Sequence, residues 1–257
     1  MFHTVCFGGA KTDSTANENV PAVVDNSMNT SSNARYISQE TFKVLAAQIL
    51  NDSITRARIS APSLRQEGLP EIYPVTVLAV PGASPNVAFF EMNGPTIQRN
   101  EEFGVECSNG ASTVDRANAA LWLSMRMTPV NNGRRLTVFG TSTQTLLQSG
   151  WTLGGITLDQ TLPVGRYQVV GMNVVCNDAL AGRLVFPRQS TFRPGAPACA
   201  SVGGFERLNK FRAGNMGGWG EFDSIAQPQL ELFGVTAGAE TAQVILDLVQ
   251  VSQSVPG

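Results

Sequence analysis

The chain has 257 residues, of which 42% are hydrophobic and only 15% charged, with a net charge of −2. Soluble chains usually carry about 25% charged residues, so much of this surface is expected to lie against neighbours. There is no basic run, which argues against a clustered Lys/Arg face holding phosphates, and no strong direct nucleic-acid binding is expected. No apolar run reaches the ~18 residues that a membrane-spanning helix needs.

Lysine occurs only at Lys11, Lys43 and Lys210, so arginine supplies 15 of the 18 basic residues. Association surfaces are likewise poor in Lys and rich in Arg. The N-terminus has no basic region ahead of an apolar stretch, so no secretory signal is predicted. Cys6, Cys107, Cys176 and Cys199 are far apart, fit no zinc spacing and read as buried thiols.

In chain order, residues 1–37 read as a polar arm, rich in Ser, Thr and Asn over 13–19 and 26–33. Such a segment has too little apolar surface to order alone, and other copies of the chain are expected to hold it. Residues 38–61 are predicted to form an amphipathic helix. Ser38 would cap its first turn, and Phe42, Leu45, Ala46 and Ile49 would form one apolar stripe.

From Pro62 the pattern becomes β. Strand candidates follow over 75–80, 87–91, 103–107, 119–127, 135–140, 152–158, 167–176, 183–186, 229–233 and 243–251. Turn-forming pairs such as Asn109-Gly110 and Asn132-Gly133 separate many of them. The stretch from Gly165 to Pro187 reads as a hairpin turning at Asn177-Asp178, its apolar strands covered on both faces. Residues 189–227 read as a Gly-rich surface insertion, too long for an ordinary connection. The predicted fold is an all-β jelly-roll sandwich over 62–257, single rather than double, with the arm and one helix ahead of it.

A catalytic constellation is not apparent. His3 is the only histidine and falls in the arm, so a Ser–His–Asp system is not expected. Glu101-Glu102 and Glu221-Asp223 are carboxylate pairs, but sequence neighbours on a strand point to opposite faces and not across a cleft. The chain is read as no enzyme, with no catalytic, cofactor or metal residues and no cofactor. The candidate residues belong to a subunit interface: Phe42, Leu45 and Ile49 on the helix, with Arg207, Phe211, Arg212, Trp219 and Phe222 in the insertion.

With the strands placed, the chain resembles the jelly-roll capsid proteins of icosahedral viruses, those of bacteriophages in particular. The resemblance lies in strand order and spacing, the polar arm, the Gly-rich late loop, the buried last strand and stretches such as PSLRQEGLPEIYPV, LPVGRYQVVG and RPGAP. It implies a shell subunit made in the host cytoplasm and residing in the virion, with other copies of itself and other virion proteins as partners. Many such proteins carry a basic arm, whereas this one has only Lys11 and Arg35, so genome contact would be indirect. Two other readings stand beside it. One is a carbohydrate- or receptor-binding jelly roll, with Trp122, Trp151 and Trp219 offering flat apolar faces. The other is a cupin-like enzyme, for which a single histidine supplies too few ligands.

Overall fold

In the computed structural model, residues 2–11, 16–50, 54–66, 75–77, 87–90, 93–109, 115–188, 191–200, 211 and 216–253 are described. The first half comprises β1 (Phe2–Lys11), β2 (Glu18–Val20), β3 (Asn29–Thr30), β4 (Tyr36–Ile37), β5 (Phe42–Leu50), β6 (Ile54–Ser60) and the short helix α1 (Pro62–Gln66). It continues through β7 (Val75–Val77), β8 (Ala88–Phe89), β9 (Thr96–Ile97), β10 (Glu102–Asn109) and β11 (Asp115–Ser124). The second half holds β12 (Arg134–Leu146), β13 (Gly150–Gly154), β14 (Thr157–Leu158), β15 (Gly165–Val175), β16 (Ala179–Val185) and β17 (Gly195–Cys199). It ends with β18 (Gly220–Asp223), β19 (Gln229–Gly234) and β20 (Gly238–Gln253).

These strands form a six-stranded sheet centred on β1-β11-β5, a five-stranded sheet centred on β10, and a nine-stranded sheet ordered β13-β19-β16-β17-β15-β20-β12-β14 with β18 added beside β15. The six-stranded sheet is the middle layer, and its side chains alternate between two apolar cores. Val5 and Phe7 of β1, with Ala119, Leu121 and Leu123 of β11, face the five-stranded sheet. Phe2, Cys6, Ala120 and Trp122 join the larger core built on the nine-stranded sheet. A strand buried on both faces has no polar side to show, which is why 119–123 reads as an unbroken apolar run. The nine-stranded sheet curls until its ends approach. A Cβ on Gly154 of β13 would lie 2.6 Å from Gln144 Cγ of β12, and Gln144 Nε2 donates to Leu230 O of β19 at 3.1 Å. The fold is thus an all-β sandwich of curled sheets, of jelly-roll type.

Several sequence expectations are corrected. The stretch read as a helix over 38–61 is instead the strands β5 and β6, and the only described helix is α1. Phe42, Val44, Ala47 and Ile49 enter the smaller core, while Leu45, Ala46 and Leu50 enter the larger one. A register shift opposite Trp122 and Leu123 slips Leu45 out of strict alternation, so two-sided burial imitates a helical stripe. On β6 the alternation is plain, with Ala57 and Ile59 buried and Arg56 and Arg58 bonded to Ser108 and Glu106.

The arm is also part of the fold. β1 pairs along its whole length with β11, from Phe2↔Ser124 to Lys11↔Asp115. Tyr36 is fully buried, and its hydroxyl donates to Cys6 O at 2.6 Å and Val23 O at 2.8 Å. The arm is therefore held by its own chain. Nor do β15 and β16 pair as a hairpin. β17 enters between them, parallel to β15 and antiparallel to β16. Glycine makes the insertion possible: a Cβ on Gly195 would lie 2.2 Å from Gly182 O. The reading of 189–227 as a surface element does not hold for its described strands, because β17 is buried throughout and β18 pairs with β15; residues 189–190, 201–210 and 212–215 lie outside the described residues.

Candidate functional site

Most of the predicted interface residues lie inside the molecule. Phe42, Leu45, Ile49, Phe211, Trp219 and Phe222 are all buried in the chain's own cores. Phe211 packs between Phe89 and Trp122, with ring centroids 5.2 Å from each. Trp219 meets Phe2 edge-on at 4.9 Å, and Phe222 stacks on Tyr167 at 5.8 Å. The aromatic residues read as interface anchors instead anchor the chain's own cores. Arg207 and Arg212 lie outside the described residues.

The most heavily charged interior cluster joins the two halves. Arg183 on β16 is buried. It donates from Nη1 and Nη2 to Asp25 at 2.6 and 3.1 Å, from Nε to Glu231 Oε2 at 2.5 Å, and from Nη1 to Thr4 O at 2.9 Å. Its guanidinium carbon sits 3.8 Å from the Trp151 ring centroid. Arg193 holds the other Glu231 oxygen. Two cations and two carboxylates balance, as a buried cluster requires.

His3 belongs to this cluster. Its Nδ1 accepts the Arg193 backbone N–H at 2.9 Å, so the neutral ring carries its proton on Nε2, 3.3 Å from Ser27 Oγ. Ser27 Oγ donates in turn to Asp25 Oδ1 at 2.5 Å. The residue types of a hydrolytic triad thus meet, but in the wrong order: Asp25 orients the serine, whereas a triad needs it on the histidine. Burial first, then the Arg183 charge, lowers the His3 pKa to about 3. Burial alone would raise the Asp25 carboxyl, but Arg183 overrides it and the pKa falls to about 2. A base so weak, in so closed a place, is structural.

Of the two carboxylate pairs, Glu101 and Glu102 part, whereas Glu221 and Asp223 stay together. Glu101 accepts from the backbone N–H groups of Ser63 and Gln98 and from the Ser63 hydroxyl, tying α1 to the strand before it. Glu221 and Asp223 are two residues apart on β18, not adjacent, and both line a cleft of about 890 Å³ between the halves.

Two outward features remain. One is that cleft. The other is the exposed face of β12, where Arg135, Thr137, Phe139, Thr141, Thr143 and Thr145 point out in strict alternation. Thr143 pairs with Thr241, Thr141 with Gln243 and Phe139 with Ile245 across to β20. The face is sparsely charged, and Phe139 stands in it 51% exposed beside a depression of about 270 Å³ bordered by Thr157, Leu158 and Gln243. Sequence reading placed only 135–140 of this strand and could not say which side faced out.

No protein-family model matches the chain, and no curated protein matches it. Among solved structures it is similar to the crystal structure of the major capsid protein P2 from bacteriophage PM2, at 13% identity, covering 98% of both chains with a TM-score of 0.24. That score is too low to equate the two strand arrangements. Among the described residues, no helix is long and apolar enough to cross a membrane.

Proposed function

We propose that this chain is the structural subunit of an icosahedral virus shell of the phage type, residing in the virion and acting by self-association without catalysing a reaction. The observation that carries the reading is the outer face of β12. A long strand surface of threonines around a half-exposed phenylalanine has little charge to strip of water, which suits contact with another protein. Val24 at 85% exposure and Ile225 at 88% add apolar points elsewhere, and a closed array uses several contact patches per copy.

Covering Phe139 completely would remove roughly 100 Å² of apolar surface, about half of an aromatic side chain, and contribute about 2–3 kcal/mol per contact. In a symmetric array the same contact repeats at every copy. The arm and the region read as a helix are strands of the folded subunit, so the proposal does not need them to order on assembly. Sedimentation velocity and electron microscopy of the purified protein test the proposal. Closed multi-copy particles are expected, and a persistent monomer at high concentration would overturn it.

A further inference from the structure

We infer that the cleft between the two halves binds a neutral oligosaccharide. The cleft, of about 890 Å³, falls in the size range of ligand sites, roughly 300–1,000 Å³. One wall comes from Glu40 ahead of β5 and from Met125 and Arg126 after β11; the other comes from β15 and β18. The inference stands apart from the shell proposal, because a subunit can hold sugar whether or not it assembles.

The charges of the lining decide the ligand class. Arg126, Arg166 and Arg188 line the cleft together with Glu40, Glu221 and Asp223, three of each sign, with Arg166 paired to Glu221 and Arg188 to Asp223. An anion would meet carboxylates, and a cation would meet guanidiniums. A neutral ligand with many hydroxyls uses both, donating to the acids and accepting from the arginines.

The polar groups are held in place before any ligand arrives. Glu221 is fixed by Arg166 Nη2 at 2.6 Å and by Asn131 Nδ2 at 2.8 Å. Gln168 is fixed by the Asn131 N–H at 2.8 Å and by Pro129 O at 3.2 Å. Arg166 pairs with Asp223, and Gln168 with Glu221, in the β15–β18 register. Pre-set donors and acceptors lose little freedom on binding.

The floor excludes other ligands. Gly217 has a φ of +76°, and a Cβ on Gly218 would stand 2.5 Å from Gln168 Nε2, so glycine lets the backbone press against the floor. Trp219 and Phe222 are 3% and 5% exposed, too covered to stack a flat nucleobase. The half-exposed Met125 and the exposed Pro187 at the rim offer apolar surface to sugar C–H groups. Glu221 and Asp223 stand on one strand and so belong to one wall, with Glu40 on the other.

The test is calorimetry and saturation-transfer NMR on the full chain with maltotetraose, cellotetraose and chitotetraose, and with sialyllactose and a heparin tetrasaccharide as anionic probes. At least one neutral tetrasaccharide is expected to bind with a Kd below about 1 mM, at least tenfold more tightly than either anionic probe. Glu221→Gln is expected to weaken it at least tenfold. Arg188→Ala, whose side chain is 85% exposed and so leaves the fold intact, is expected to weaken it severalfold. Failure of every neutral sugar, preference for an anionic one, or binding unchanged in both variants would overturn the inference.

Discussion

Arg183 grips Asp25 with two hydrogen bonds, 2.6 and 3.1 Å long, although the two are 158 positions apart in the chain. Asp25 follows β2 in the first half and Arg183 sits on β16 in the second, so the pair links the halves through their interior. Removing one partner of a buried ion pair leaves the other uncompensated, at a cost of about 3–5 kcal/mol. Arg183→Met strands Asp25 and leaves Glu231 with Arg193 alone, and is expected to lose at least that much in urea unfolding. Adding Asp25→Asn should recover part of the loss, because residues in one network are not additive. A single-variant loss under 1 kcal/mol would mean that the cluster does not hold the halves together.

The same cluster sets the acid response. An unfolded histidine takes a proton near pH 6.5, whereas folded His3 does so only near 3. Between those values the unfolded chain binds more protons, so stability falls as pH falls, by about 1.4 kcal/mol per unit at most. Asp25 acts in the same direction lower down: its depressed pKa gives stability above about 3.8 that is lost as pH drops towards 2. His3→Gln keeps an acceptor for the Arg193 N–H and has no proton to gain. Its urea midpoint should vary less between pH 6 and pH 4 than that of the parent chain, and parallel curves would contradict the assignment.

Tyr36 makes a sharper test of the N-terminal region. Its hydroxyl serves two buried carbonyls, Cys6 O and Val23 O, and so fastens the segment after β1 to β1 itself. Tyr36→Phe leaves both carbonyls without that donor and should cost about 1–3 kcal/mol. Limited proteolysis should then cut within 16–37 far faster than in the parent chain. Equal cutting rates would show that something other than Tyr36 secures this stretch.

Most strands of the second half are legible because turn-formers bracket them and one side of several is wet, but β17 and β18 fall in the stretch read as an insertion. Of β12 the sequence reading reaches only 135–140, and the threonines beyond it that form the outward face lie outside that expectation. The first half was harder for a physical reason: β1, β5 and β11 are covered on both faces, which erases the period of two. In β5 the shift at Leu45 then placed Phe42, Leu45, Ala46 and Ile49 at helical spacing. β1 was lost differently, since Phe2 to Phe7 is apolar but the polar stretch behind it dominated the reading of 1–37. The Arg183 cluster left no local signal, as its members lie on five separate segments. His3 was singled out as the lone histidine, but its partners Ser27 and Asp25 sat in what looked like disordered chain. The cleft left no local signal either: Trp219 reads as an interface anchor and Glu221 and Asp223 as a carboxylate pair, and the arginines that join them come from other segments.

The β12 face offers the most direct contrast between folding and assembly. Phe139 is 51% exposed, so Phe139→Asp removes little from the core and should leave the melting temperature of the isolated subunit within a few degrees. A buried charge at a contact is costly unless paired, and the loss repeats at every copy. Particles seen by light scattering should therefore disappear or dissociate for Phe139→Asp. Thr143→Arg, on the same face, should shift the assembly threshold to higher protein concentration. As a control, Thr30→Arg changes an exposed residue on β3 of the five-stranded sheet, a different sheet from β12, and should assemble like the parent. If Phe139→Asp assembles normally while folding normally, the outward face of β12 is not the contact, and the apolar points at Val24 and Ile225 become the surfaces to test.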